Sequence, residues 1–263
     1  MGVWAIDLDG VVWRGAALVP GSDRAVARLL AAGHHVVFCT NHAQSPAKKA
    51  AELAALGVPP CPVVTSAEAA ATACAPGQRV LAMGDPTLLE VCAAAGLDVV
   101  DVFALPDGHP VGEVDAVVVG ACPNWDRSRV GMVADAVRAG ARFLATNDDP
   151  TYPVSGPVGP RLLPGNGALV AAVATAAGRA AEVAGKPHRA TASLLVERHG
   201  PVEVVVGDKP ETDGELASAL GARFGLVLSG VTAAQDLPVE PTPWIVAADL
   251  AALVDEALAV EAG

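Results

Sequence analysis

Basic residues are scarce in this sequence: 17 Lys and Arg stand against 29 Asp and Glu in 263 residues, a net charge of −12. Such a chain repels nucleic acid and anionic lipid at long range, so neither is an expected partner. Aromatic residues are also few, at 3%, although apolar residues reach 52%, mostly Ala and Val. No apolar run is long enough to span a bilayer. The first residues carry no basic stretch ahead of an apolar one, and Asp7 arrives at once, which is unlike a signal peptide. The five cysteines (Cys39, Cys61, Cys74, Cys92, Cys122) are odd in number and scattered. None forms a Cys-x-x-Cys pair, which weighs against zinc and redox roles. Reduced, mostly buried thiols in a cytoplasmic protein are the expectation.

What the chain has is alternation. Val3 to Ile6, Val36 to Cys39 and Val63-Val64 read as buried strands, and Asp23 to Ala32 and Pro46 to about Leu56 as helices. Ser45 is placed as an N-cap with Pro46 opening its helix, and Ser66 as the cap of the next, Ala-rich helix. Near the other end Val202 to Val206 and Gly225 to Ser229 read as strands, with helices at Leu216 to Leu220 and Asp249 to Ala259. Apolar strands separated by helices predict a parallel sheet covered on both faces, a Rossmann-like three-layer α/β core. About 100 residues in the middle alternate in the same way, with strands at Val80 to Met83, Ala116 to Val119 and Arg142 to Ala145. That stretch is too long for a loop. It predicts a smaller inserted α/β domain at 78–182, with 1–77 and 183–263 forming the core, and hinges near Pro76-Gly77 and at 178–185.

Ligands of open parallel sheets collect at the carboxyl ends of the strands. Here those ends carry Asp7 and Asp9, Thr40 and Asn41, Asp208, and Ser229, while Lys186 follows a glycine at the return from the insert. Each is unremarkable alone: Asp-x-Asp-Gly is most often a turn, and a lone lysine a solvated charge. Their convergence needs a reason. Carboxylates from two strand ends call for a cation, and all-oxygen ligation suits magnesium. Asp213 is placed to hold metal-bound water or to orient Lys186. With Asp9 protonated, Asp7, Asp208 and Asp213 contribute three negative charges that magnesium and Lys186 offset, so a phosphate dianion can enter. The chemistry this allows is in-line attack by Asp7 on phosphorus, proton transfer by Asp9, and phosphate held by Lys186, Thr40 and Asn41.

The run Asp7-Leu8-Asp9-Gly10-Val11, the pair Thr40-Asn41, Gly185-Lys186-Pro187 and Gly207-Asp208-Lys209-Pro210-Glu211-Thr212-Asp213 together resemble the four ordered motifs of the haloacid dehalogenase-like hydrolase superfamily. The insert resembles the class IIA cap of its NagD-like, p-nitrophenylphosphatase-like branch. The resemblance spans the whole chain. It implies a magnesium-dependent phosphatase for small phosphate esters, working through an aspartyl phosphate, with the Asp9 carbonyl among the metal contacts alongside Asp7 and Asp208. It also implies a cap that selects the leaving group, with His42, Asn147, Asp148 and Tyr152 as candidate contacts, and a homodimer through the cap. Glycerol phosphate, phosphoglycolate, a nucleotide monophosphate and an aryl phosphate are candidate substrates. A phosphotransferase or mutase, and a non-catalytic sensor of phosphorylated ligands, are the competing readings. The sequence departs from the branch at His42 and Gln44, which bears on substrate preference.

Overall fold

The computed structural model describes residues 2–156 and 159–262. Strand β1 (Val3–Ile6) leads through a two-residue hairpin pair, β2 (Trp13–Arg14) and β3 (Ala17–Leu18), to α1 (Ser22–Ala31), β4 (His35–Thr40), α2 (Pro46–Ala55) and β5 (Val63–Thr65). Next come α3 (Ser66–Thr72), β6 (Arg79–Met83), α4 (Pro86–Ala94), β7 (Asp98–Asp101), β8 (Ala116–Val119) and α5 (Arg127–Arg138). They are followed by β9 (Arg142–Ala145), the hairpin β10 (Thr151–Gly156) and β11 (Gly159–Pro164), α6 (Asn166–Ala177) and β12 (Glu182–Val183). The chain ends with α7 (Arg189–His199), β13 (Val202–Gly207), a π-helical turn at Pro210–Gly214, α8 (Glu215–Leu220), β14 (Arg223–Val227), β15 (Ile245–Ala247) and α9 (Leu250–Ala262).

The elements fall into two compact units: residues 1–40, 46–64 and 186–263, and residues 41–45 with 65–185. Besides residues 41–45, the second takes up the chain at Thr65, upstream of residue 78, and so includes α3. Each unit is built on a sheet of parallel strands. The first is ordered β15-β14-β13-β1-β4-β5 and the second β12-β9-β8-β6-β7. In the first sheet the chain moves from β1 out to β5, then returns to β13 on the other side of β1. The crevice at the carboxyl ends of β1 and β13 is therefore the topological switch point, where such sheets bind ligands.

Burial on both faces explains why the strands read as unbroken apolar runs. Trp4, Ile6, Val36, Phe38, Val204 and Val206 face one way and pack with Val26 and Leu29 of α1 and Leu250, Leu253 and Val254 of α9. Ala5, Val37 and Val205 between them are buried too. The second unit has its own core of Leu81, Met83, Val117, Val119, Phe143 and Ala145 against α5 and α6.

One cap is displaced from its expected place. Thr65, not Ser66, caps α3, its hydroxyl accepting the Glu68 N–H at 3.3 Å. Ser66 instead donates its hydroxyl to the Asn41 carbonyl at 2.7 Å. Strand β14 also starts and stops two residues before the run read from sequence, which frees Leu228 and Ser229 for the loop beyond it. All five cysteines are free, and no helix among the described residues is long and apolar enough to cross a membrane.

Leu253 fills the space left under Gly225, where an added Cβ would lie 2.9 Å from its Cδ1. Leu253→Ala should cost about 2–5 kcal/mol, read as a lower urea midpoint at unchanged slope.

Candidate active site

Three strand ends of the first unit deliver the site. Asp7 follows β1, and its N–H bonds the Val206 carbonyl of the neighbouring β13 at 2.9 Å. Asp208 follows β13. Thr40 closes β4 and is buried. The π-helical turn after Asp208 folds Asp213 back toward the strand it has just left. This needs Gly207, since a Cβ there would sit 2.1 Å from the Asp213 Cγ.

Lys186 joins these elements. Its Nζ donates to Asp7 Oδ1 and to Asp213 Oδ1, each at 2.6 Å, with the lysine side chain only 3% exposed. Asp213 thus reaches Lys186 directly. Oxygens of Asp7, Asp208 and Asp213 lie within 4.8 Å of one another, all three residues buried. Asp208 accepts the Val231 N–H at 2.6 Å, and the Ser229 hydroxyl donates to the Gly10 carbonyl at 2.6 Å. The loop after β14 therefore braces both Asp208 and the Asp7–Gly10 turn. Gly10, at φ 81°, and Gly230 are obligatory there: a Cβ on either would fall 2.3 or 1.8 Å from Asp208 Oδ2.

The electrostatics follow from burial. Desolvation pushes the Asp7 carboxyl well above the usual range, Lys186 opposes it, and Asp213 and Asp208 add to the rise. Desolvation and Asp213 push Asp208 to about 6. Burial works against the Lys186 ammonium, but Asp213 and Asp7 outweigh it and leave the lysine well above its ordinary value. Ionised, the three carboxylates exceed the one ammonium by two charges. Buried, oxygen-only and short of two positive charges, this donor set fits a hard divalent cation such as magnesium. Cys39 is no competing nucleophile, since burial pushes its thiol up to about 12.

Asp9 stands apart from this cluster. Its side chain is exposed and accepts the Trp13 indole N–H at 2.9 Å. The remaining candidates belong to the second unit. The Asn41 carbonyl accepts the Ser66 hydroxyl and the Asn147 amide, the latter at 2.8 Å. Asn147 Oδ1 also accepts the Asp149 N–H at 3.3 Å, the Asx turn considered for it, and Asn166 donates to the Asn147 carbonyl at 2.8 Å. Both polar groups of the Asn147 side chain thus bond to the backbone of the same unit. His42, Asp148 and Tyr152 are exposed. Trp13 went unrecognised in the sequence, and so did the space that Gly207 and Gly230 leave for carboxylates. The glycines of Gly-Asp and Ser-Gly-Val at strand ends were the available signal.

The first part of the chain, residues 4–98, matches the family model of haloacid dehalogenase-like hydrolases, and residues 183–253 match a second model, HAD-hydrolase-like. The chain is 40% identical over 239 residues to a D-glycerol 3-phosphate phosphatase of Mycobacterium tuberculosis, covering 88% of this chain and 64% of that protein. It thus spans a little under two thirds of that relative's length. A crystal structure of glycerol phosphate phosphatase from Mycobacterium tuberculosis, in complex with magnesium, superposes with a TM-score of 0.83 at 38% identity, over 96% of this chain and 76% of that one. NagD from Escherichia coli K-12 does so at 0.81 and 27%, over 95% and 97%. The chain belongs to the haloacid dehalogenase-like hydrolases, in their NagD-like branch.

Proposed function

We propose that this protein is a magnesium-dependent phosphatase of small phosphate esters, with glycerol 3-phosphate the first substrate to try. The observation that carries the reading is the buried Asp7–Lys186–Asp213 triad beside Asp208, at the switch point of a parallel sheet. The names of the similar proteins narrow the substrate.

In this reading a carboxylate oxygen of Asp7 attacks phosphorus and forms a phosphoaspartate, while the bond from phosphorus to the leaving oxygen breaks. Asp9 gives its proton to that oxygen, so the product leaves as an alcohol. Asp9 then takes a proton from water as the water oxygen bonds phosphorus. The aspartyl–phosphate bond breaks, phosphate departs, and both carboxyls return to their starting states. Lys186 and the Thr40 hydroxyl hold phosphoryl oxygens, as does Asn41 next to Thr40 in the chain. Asp7 and Asp208, with the Asp9 carbonyl, would hold magnesium, which supplies positive charge against the phosphoryl oxygens. The inserted unit takes the role of a cap that selects the leaving group, with His42, Asp148 and Tyr152 as its candidate contacts. Exposed Trp125 fits self-association through the same unit.

With magnesium present, the purified protein should release inorganic phosphate from glycerol 3-phosphate and p-nitrophenyl phosphate, with water as the sole acceptor. Asp7→Asn should lower turnover by about 10⁴-fold or more while circular dichroism stays unchanged. Retained activity in that variant would sink the assignment.

A second outcome follows from Asp208. Its carboxyl is pushed up to about 6, so below that pH a cation must displace a proton from it. Magnesium affinity should therefore fall as the pH drops below 6, by up to about tenfold per pH unit for this group. Calorimetry in buffers of different ionisation enthalpy should detect the released proton at about pH 5.5.

A further inference from the structure

The tryptophan beside Asp9 is built into the molecule more firmly than its neighbour. The Leu8 carbonyl accepts N–H groups from Val11, Val12 and Trp13, at 3.3, 2.9 and 3.1 Å, and the Gly10 N–H returns to the Trp13 carbonyl at 2.8 Å. This closed turn carries Trp13 back alongside Asp9, where the two residues form an isolated bridge. Trp13 is 4% exposed and belongs to the core around Leu8, Val11 and Val12. From α2, the Lys49 ammonium stands 5.3 Å from the centre of that ring and pairs with Glu52 at 2.8 Å. Lys49 is itself 4% exposed, an unusual burial for a lysine. Ring face, ring edge and indole nitrogen are all held, so the nitrogen has one direction in which to point. That direction is Asp9 Oδ1, 2.9 Å away.

Asp9 has the opposite character. It is exposed, and an exposed aspartate without a fixed donor samples several rotamers. A proton carrier that wanders loses rate, because proton transfer requires hydrogen-bond reach of the leaving oxygen. A neutral donor suits this task better than a cation, since it fixes the carboxyl without setting a full charge against the proton to be passed on. The bond engages Oδ1 and leaves the proton to Oδ2.

We propose that Trp13 is a positioning residue for the reaction: its indole N–H aims the Asp9 carboxyl at the leaving oxygen, and the Lys49–Glu52 pair holds the indole in place. This rests on the reading of Asp9 as the proton carrier.

The test compares two leaving groups. An alkoxide leaving glycerol 3-phosphate needs a proton, whereas p-nitrophenolate leaves without one. kcat/KM reports only steps through phosphoryl transfer to Asp7, so it isolates the donation step from the later attack by water. Trp13→Phe should lower kcat/KM for glycerol 3-phosphate by about tenfold and change that for p-nitrophenyl phosphate by less than about twofold. Most of the loss should fall on kcat, with KM little moved. Should Trp13→Phe fold poorly, benzothienylalanine placed at position 13 keeps the ring shape, lacks the N–H, and should show the same bias. Equal loss on both substrates, no loss, or a gain on glycerol 3-phosphate overturns the proposal. Asp9→Asn separates it from the reading beneath: that variant should show the same bias, only larger. If it does and the position-13 variants do not, the positioning role alone fails. If Asp9→Asn shows no bias, the proton-carrier reading fails and this proposal with it.

Discussion

The site depends on one buried ammonium. Lys186 sits between Asp7 and Asp213 at 2.6 Å from each, and its charge opposes the desolvation that raises the Asp7 carboxyl. Removing one partner from a buried ion pair costs about 3–5 kcal/mol, since the other is stranded away from water. Much of the surrounding architecture serves this contact. Gly207 has no side chain because the Asp213 carboxylate occupies the space, and the π-helical turn supplies the extra residue that swings Asp213 inward. Gly185 has none because the Asn41 side chain and the Thr146 carbonyl lie 2.6 Å from where its Cβ would be, so the chain can deliver Lys186 immediately afterwards.

Under the proposed function, that contact also explains how an acidic protein can receive an anion. A net charge of −12 repels phosphate at a distance, and three buried carboxylates would repel it more strongly at close range. Lys186 cancels one charge, and a divalent cation cancels the other two. Burial pushes the Asp208 carboxyl up to about 6, and the neighbouring Asp213 charge adds to the rise. Binding the cation and preparing the anion site are then the same event. Affinity for phosphate becomes conditional on the metal and is not a standing property of the surface.

The strand ends were legible in sequence because the sheet is covered on both faces. Val3 to Ile6, Val36 to Cys39 and Val202 to Val206 read as strands from apolar content alone, and the polar residue that ends each run marks the site. Contacts that depend on register or on space were not. Thr65 and Ser66 are both good caps, and only the position of Asn41 shows which is free to cap and which is needed elsewhere. Lys49 follows Lys48 and looks like half of a solvated pair, yet it is buried over an indole. Pro153 and Pro160 interrupt the pattern of the β10–β11 hairpin, which therefore escaped a reading based on alternation. Helix α7 carries Arg, Thr, Ser and Glu among few apolar residues, so its period is faint. Glycines that make room for a carboxylate leave no periodic trace at all.

Two aspartates separated by one residue come to lie at different depths because the chain turns between them. Leu8 is fully buried, and its carbonyl gathers three N–H groups, which anchors the turn and leaves Asp7 on the inner side and Asp9 on the outer. A nucleophile gains from the inner position: little water to shed, a fixed ammonium at one oxygen, and a metal site beside it. A proton carrier needs the outer one, where it can meet a leaving alcohol in one step and water in the next. The cost of the outer position is rotational freedom. A buried indole restrains the exposed carboxylate without taking it out of water. Depth separates the two carboxyls, as the proposed division of roles requires, and Leu8, Gly10 and Trp13 set that depth.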